Sequence, residues 1–287
     1  MEEKKVIKVI GVGGAGCNTV NRIIKEYNLE NIEFVATDTD IWTLKNCQAG
    51  TKLNLKDAKE SDVRSILAGS DMVIITAGMG GKTGSLITPV IARIARDMGI
   101  LSLVLVTMPF RTEGAERIGN ALSGVKQLKN HSAALIVARL KKLTDTAHKR
   151  ITLKEAFEIA DKKLCDRIVG ITNLNFADIE TLLKENGDTF IGMGEGEGEA
   201  KADGALLQAL FNLNCKIEEI QGASAAILQI TSGPDLGKED LQNAISLFLN
   251  NTVNKNIIFL FDHRIKEEIK NKASIVLLIK KKQGEKE

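Results

Sequence analysis

Apolar residues in this chain occur first in unbroken runs and then at every third or fourth position. VIKVIG (6–11), IEFVAT (32–37), DMVIITA (71–77), ILSLVLVTM (100–108) and AALIVA (133–138) are near-continuous apolar stretches of strand length. Runs of this kind mark strands covered on both faces, because a half-exposed strand would show polar residues at alternate positions. Between them lie segments such as CNTVNRIIKEY (17–27) and LITPVIARIARDMG (86–99), whose apolar residues recur with helical spacing. Strand and helix alternate, so the first half reads as a doubly wound α/β domain around a parallel sheet.

The segment 152–168 is helical by its spacing, with Leu153, Ala156, Phe157, Ala160, Leu164 and Ile168 on one side. Thr152 followed three residues later by Glu155 is the signature of a capped helix start. Beyond it the texture changes. GMGEGEGEAKADG (192–204) reads as a glycine-rich loop, followed by a helix at 205–213, an apolar strand at 223–231, a turn at SGPD (232–235) and a helix at 236–250. NIIFLFD (256–262) and ASIVLLI (273–279) read as a final pair of strands. The expected layout is a doubly wound α/β domain over 1–170 that includes the 152–168 helix, and an α+β domain over 171–287.

Composition narrows the function. A net charge of +2 and 4% aromatic residues argue against a nucleic-acid protein. The cysteines at 17, 47, 165 and 215 form no CxxC pair, so neither a zinc site nor a disulfide framework is expected. With no signal peptide and no apolar run long enough to span a bilayer, the expectation is a cytoplasmic protein without a stable membrane anchor. The terminal KKKQGEKE reads as a solvated end.

Two glycine loops carry the candidate chemistry. GVGGAG (11–16) follows a strand, opens a helix and matches GxGxxG through Gly11, Gly13 and Gly16. Asp38 lies 22 residues beyond Gly16, where a dinucleotide site would place an acid for a ribose hydroxyl. A dinucleotide site and simple tight packing are both open readings of this motif alone. The second loop, GMGGKTGS (78–85), also sits between a strand and a helix. Two loops at the carboxyl edge of one sheet could hold a longer phosphate chain from opposite sides. GGKT resembles a P-loop, but a Walker A motif needs glycine at position 76, which is Thr76.

At this point the residues resemble the FtsZ family, prokaryotic relatives of tubulin, over nearly the whole chain. GVGGAGCNTVNRI (11–23), TDTD (37–40), PFRTEGAER (109–117), AFEIAD (156–161), NLNFADIETLL (173–183), GMGEGEGEAKADGALLQAL (192–210) and ITSGPDL (230–236) carry the resemblance in order. It implies the tubulin/FtsZ fold, with a Rossmann-like GTP-binding domain joined by a central helix to a smaller α+β domain. It also implies GTP or GDP as ligand, with magnesium a candidate companion, and head-to-tail filaments in which one subunit's insertion loop completes its neighbour's active site. Carried over, Gly13, Gly14, Ala15, Gly16, Cys17 and Asn18 would cradle phosphates from one side, and Gly80, Gly81, Thr83 and Gly84 from the other. Glu113 and Arg117 would hold ribose and phosphate, and Asp161 would read the guanine edge.

The departures lie in both loops. The family's GGGTGTG is GGKTGSL here, so Lys82, Ser85 and Leu86 replace a glycine, a threonine and a glycine. A glycine at 82 could take positive φ, which lysine adopts only under strain. Lys82 could instead contact phosphate, stand in for magnesium, block the pocket or point to solvent. In the insertion loop Asp178 matches one of two family aspartates, and Asn175 stands in place of the other. An amide can orient water but cannot accept its proton. The helix before this loop is also about two turns shorter than the family's. Asp38 and Trp42 replace an asparagine and a small polar residue, with Trp42 able either to stack on the nucleotide or to pack inside. The expected function is a guanine-nucleotide-binding filament former with slow or lost hydrolysis, partnering itself or a second FtsZ. An active cell-division GTPase, and a binding module without nucleotide, are the alternatives. A dinucleotide oxidoreductase would leave the second half unexplained.

Overall fold

A computed structural model describes residues 5–139, 152–184, 187–213 and 215–282 of the chain. The chain divides into two compact units, residues 1–172 and 173–287.

The first unit is built on six parallel strands: β1 (Ile7–Val12), β2 (Ile32–Asp38), β3 (Thr51–Asn54), β4 (Met72–Gly78), β5 (Leu101–Met108) and β6 (Ala134–Arg139), in the order β3-β2-β1-β4-β5-β6. Every residue of β1 is buried, as a strand covered on both faces must be. The strand order reverses between β1 and β4, the place where open α/β sheets leave a crevice at their carboxyl edge. Both glycine loops leave the sheet there.

The helices are α1 (Gly13–Glu26), α2 (Ile41–Asn46), α3 (Glu60–Leu67), α4 (Lys82–Asp97), α5 (Ala115–Leu128) and α6 (Leu153–Thr172). Two begin earlier than their apolar spacing suggests: α1 at Gly13 rather than 17, and α4 at Lys82 rather than 86. The glycine loops are themselves the first helical turns, and glycines leave no apolar side chain for periodicity to register. A third, α6, continues past 168 to Thr172, because Ile168 and Ile171 are both fully buried and extend the apolar face across Gly170. Its start is capped as the sequence suggests. The Glu155 amide donates to Thr152 Oγ1 at 3.2 Å, and the Thr152 amide donates to Glu155 Oε2 at 2.7 Å.

In the second unit the helices are α7 (Phe176–Lys184), α8 (Lys201–Asn212), α9 (Ile217–Gln221) and α10 (Lys238–Asn250). Its strands β7 (Asp188–Glu197), β8 (Ala223–Ser232), β9 (Ile258–Ile265) and β10 (Lys272–Lys281) form a sheet in the order β7-β10-β8-β9. The two last strands are therefore not partners. β10 runs antiparallel between β7 and β8, and β9 lies parallel to β8 at the edge.

The glycine-acid segment is also not the loop its composition suggests. Residues 188–197 form β7, and Gly192, Gly194 and Gly196 all face α8. A Cβ at these three positions would fall 2.0, 2.0 and 1.9 Å from the carbonyl oxygens of Ala209, Ala205 and Lys201. Glycine at every second strand position thus meets a carbonyl at every fourth helix position, and the helix backbone lies directly on the strand. This close approach is the usual reason for glycine inside a strand.

Candidate functional site

The crevice of the first unit holds a cavity of ≈ 530 Å³, within the range of small-ligand sites. The amino ends of α1 and α4 open onto it through Gly13, Gly14 and Ala15 on one side and Gly81, Lys82, Thr83 and Gly84 on the other. The first amides of a helix have no partner within it, and its dipole favours negative charge at that end. Two such ends on one cavity make a strong anion cradle. Close approaches within and between the loops fix their spacing. A Cβ at Gly16 would lie 2.4 Å from the Thr76 carbonyl oxygen and one at Gly78 would lie 2.7 Å from Ala15 Cβ, while within the second loop one at Gly84 would lie 2.1 Å from the Gly78 carbonyl oxygen.

Lys82 carries no conformational strain. The left-handed backbone falls on Gly80 (φ 104°), Gly81 is extended (φ −79°), and Lys82 is the first residue of α4. Its side chain is exposed and lines the cavity. Leu86, one turn further, is 60% exposed and lies outside the cavity lining, so it does not close the pocket.

Of the residues singled out from sequence, Gly13, Gly14, Ala15, Asn18, Gly81, Lys82, Thr83, Gly84, Glu113, Arg117 and Asp161 meet around this cavity. Gly16, Cys17, Asp38, Gly80 and Ser85 lie behind its wall. Ser85 is buried, and its Oγ accepts from the Gly80 amide at 2.8 Å, so it shapes the loop. Asp38 is buried and accepts from the amides of Thr39 (2.6 Å) and Asp40 (3.3 Å) and from Thr83 Oγ1 (3.4 Å). Its carboxylate ties the end of β2 to the start of α4. Cys17 is buried in the core, and its thiol is raised well above its ordinary value by its hydrogen bond to Cys47 and by burial. Trp42 adopts neither arrangement considered from sequence. It is 67% exposed, outside the cavity, with Lys45 Nζ 4.9 Å from its ring centre.

Several lining residues carry no sequence signal of their own. Thr19 and Arg22, on α1 below the glycines, both reach Asp161 of α6: Thr19 Oγ1 donates to Asp161 Oδ1 at 2.8 Å, and Arg22 Nη1 lies 3.5 Å from Oδ2. Arg22 also donates to the Glu158 carbonyl at 3.0 Å. Position on the helix face after Gly16 was the signal available for both. Phe157 lines the same end and meets Phe110 edge to face at 5.1 Å. Opposite, Glu113 accepts from the Phe110 amide at 2.7 Å and pairs with Arg117 at 2.8 Å. The cavity thus has an anion-attracting end made of backbone amides and Lys82, and a polar end centred on Asp161.

Asn175 and Asp178 belong to the second unit. Asn175 caps α7: its Oδ1 accepts from the amides of Ala177 (2.8 Å) and Asp178 (3.4 Å). Asp178, half-buried on the first turn, has its carboxyl held above the ordinary value first by burial and then by the charge of Asp262 on β9.

Comparison with known proteins agrees with this geometry. A family model described as the Tubulin/FtsZ family GTPase domain matches residues 42–148, and one described as the FtsZ family C-terminal domain matches residues 187–281. The chain is 36% identical over 259 residues to the cell division protein FtsZ of Aquifex aeolicus, covering 80% of this chain and 70% of that one. It is 32% identical over 307 residues to cell division protein FtsZ 1 of Archaeoglobus fulgidus, covering 97% and 82%. Among solved structures, an FtsZ from M. jannaschii, an empty dimer, superimposes with a TM-score of 0.86 at 29% identity, covering 98% of this chain and 89% of that one. With one family model on each half and such relatives along most of its length, the chain belongs to the tubulin/FtsZ family as an FtsZ-like protein.

Proposed function

We propose that the protein binds a guanine nucleotide in the α1/α4 cavity, assembles head to tail with further copies in the cytoplasm, and hydrolyses GTP slowly. The observation that supports binding most directly is the convergence of two helix amino ends on one cavity whose far end presents an acid. Phosphates suit the amides of Gly13, Gly14, Ala15, Gly81 and Thr83 together with the Lys82 ammonium. Asp161, an acceptor-only group when ionised, suits the two N–H donors on one edge of guanine. Adenine offers an acceptor ring nitrogen there, so Asp161 disfavours it. Among the lining residues, Thr83 Oγ1 is an oxygen that could meet a magnesium ion carried on the phosphates, with the Asp38 carboxylate 3.4 Å behind it.

Slow hydrolysis follows from the insertion loop. By family resemblance this loop acts on the nucleotide of the adjacent copy, and position 175 offers an amide whose oxygen is already spent on capping α7. The chain supplies one acid on that turn, Asp178.

The test combines three measurements on one preparation: GTP binding, nucleotide-dependent sedimentation and phosphate release. Binding and sedimentation with little phosphate release, about 10²-fold below that of Asn175→Asp, support the reading. Absence of GTP binding overturns it in favour of a protein that acts through its surfaces, and rapid phosphate release overturns the slow-hydrolysis part. Base recognition has its own test. Thr19→Val keeps the side-chain shape but removes the hydroxyl donor to Asp161. A hydrogen bond of this kind contributes about 1 kcal/mol, so GTP affinity is expected to fall roughly fivefold in equilibrium titration. Binding of tripolyphosphate, which lacks a base, is expected to stay unchanged.

A further inference from the structure

Lys82 stands in the first turn of α4, the end at which a helix dipole opposes positive charge. No acidic residue shares that turn to offset it. Of the charged residues lining the cavity, Lys82 is the one that makes no ion pair among the described residues. Arg117 lies 2.8 Å from Glu113, Arg22 meets both Glu26 and Asp161, and Glu158 lies 3.9 Å from Lys154. Asp38, the carboxylate behind this turn, is buried and bonded to the amides of Thr39 and Asp40 and to Thr83 Oγ1. Lys82 is thus exposed, unpaired and set against its own helix, on the wall of a cavity that attracts anions. A chain of contacts orders the cavity. Asp161 accepts from Thr19 Oγ1 at 2.8 Å, and that hydroxyl lies 3.1 Å from the carbonyl of Ala15 in the first turn of α1. A Cβ on Gly13 would lie 3.4 Å from Thr83 Cβ. The path from Asp161 therefore passes the first turn of α1 and reaches Lys82 last.

We propose that Lys82 is a specificity-determining residue that selects a triphosphate over a diphosphate, and that this selection needs no divalent cation. This rests on the proposed function above, in which Asp161 receives the base. A nucleotide laid along the path presents its first phosphates to the α1 amides and its last to the α4 amides and Lys82. A diphosphate is one phosphate shorter and leaves the ammonium unmet. The third phosphate supplies the partner that Lys82 lacks, and it removes the cost of holding a cation against the α4 dipole. Lysine suits this task as a point charge with three donors. Magnesium usually enters a nucleotide site through one or two protein carboxylates as well as the phosphates. The carboxylates nearest the second loop are engaged with protein groups: Asp38 as above, and Glu113 with the Phe110 amide and with Arg117, which packs on Gly80. Lys82 therefore provides positive charge that the fold itself holds in place, and magnesium carried in on the phosphates adds to it.

The experiment measures equilibrium binding of GTP and GDP to wild type, Lys82→Met and Lys82→Arg, first with EDTA and then with excess magnesium. Lys82→Met keeps the stem of an exposed side chain and removes its charge, so it is expected to fold. Without nucleotide it should melt at or slightly above the wild-type temperature, because the α4 dipole no longer meets a cation. With EDTA present, wild type is expected to bind GTP about tenfold more tightly than GDP, the scale of one charge-assisted contact. Lys82→Met should lose about that factor for GTP and little for GDP, and Lys82→Arg should keep the preference. Added salt should narrow the preference of wild type more than that of Lys82→Met. Unchanged GTP affinity in Lys82→Met overturns the proposal, as do equal losses for GTP and GDP, or a wild-type preference that appears only with magnesium. Tripolyphosphate and pyrophosphate, titrated into the same proteins, keep this test apart from the proposed function. If wild type binds no GTP but prefers tripolyphosphate to pyrophosphate through Lys82, the guanine reading fails and the role of Lys82 stands. If it binds neither polyphosphate, both fail.

Discussion

Asn175→Asp is expected to raise GTP turnover about 10²-fold, the lower end of what a positioned proton acceptor contributes. The substitution suits its place. Asn175 Oδ1 accepts from the amides of Ala177 and Asp178, and aspartate is as good as asparagine at a helix N-cap. One carboxylate oxygen can keep those bonds while the second remains available to water. The added charge sits at the amino end of α7, where the helix dipole favours it. Melting temperature and GTP affinity are therefore expected to stay close to wild type. The new charge lies on the same turn as Asp178, so it should raise the acid limb of the rate profile. Phosphate release from sedimented and unsedimented fractions checks both points. Unchanged turnover with normal GTP binding and normal sedimentation would show that the acid at 175 does not limit the rate. The spacing between nucleotide and loop would then be the remaining explanation, because the helix before the loop is short by family resemblance.

The unequal legibility of the fold and site has physical causes. The central strands were readable because residues buried on both faces leave unbroken apolar runs, as in β1 and β4. The amino ends of α1 and α4 were not, because the turns that form the cradle are glycine-rich and carry no apolar periodicity. Strand β7 was misread for a related reason. Its glycines have the composition of a loop, but each is there to admit a carbonyl of α8. Motif position placed Asp38 and Ser85 among the ligand contacts. Motif position specifies neighbourhood and not side-chain direction, and both side chains turn inward to hold the loops. Thr19 and Arg22 were missed although they lie on the same helix as the first loop, since nothing in a single sequence says which later acid they meet.

That distinction between glycines that build the cradle and glycines that face the ligand gives the second large effect. Gly84→Ala places a Cβ 2.1 Å from the Gly78 carbonyl oxygen, a backbone atom of a central strand that cannot swing aside. Overpacking of this severity costs about 3 kcal/mol, which for a chain of this size is roughly 10 °C in melting temperature. Loss of nucleotide binding should follow from displacement of α4. Gly14→Ala is the opposite case. No atom lies within 4 Å of its Cβ, it has no positive φ, and it stands in the first turn of α1. Alanine is worth about 0.5–1 kcal/mol over glycine within a helix, so this variant should melt at or slightly above the wild-type temperature. Gly14 also lines the cavity, and a methyl group there meets whatever the amides hold. The expected result is a more stable protein that binds GTP at least tenfold more weakly, a loss of about 1.4 kcal/mol. Paired calorimetric melting and nucleotide titration on the two variants separate the roles. If Gly14→Ala binds GTP as well as wild type, the phosphates do not lie against the α1 amides, and the cradle reading fails at its first turn.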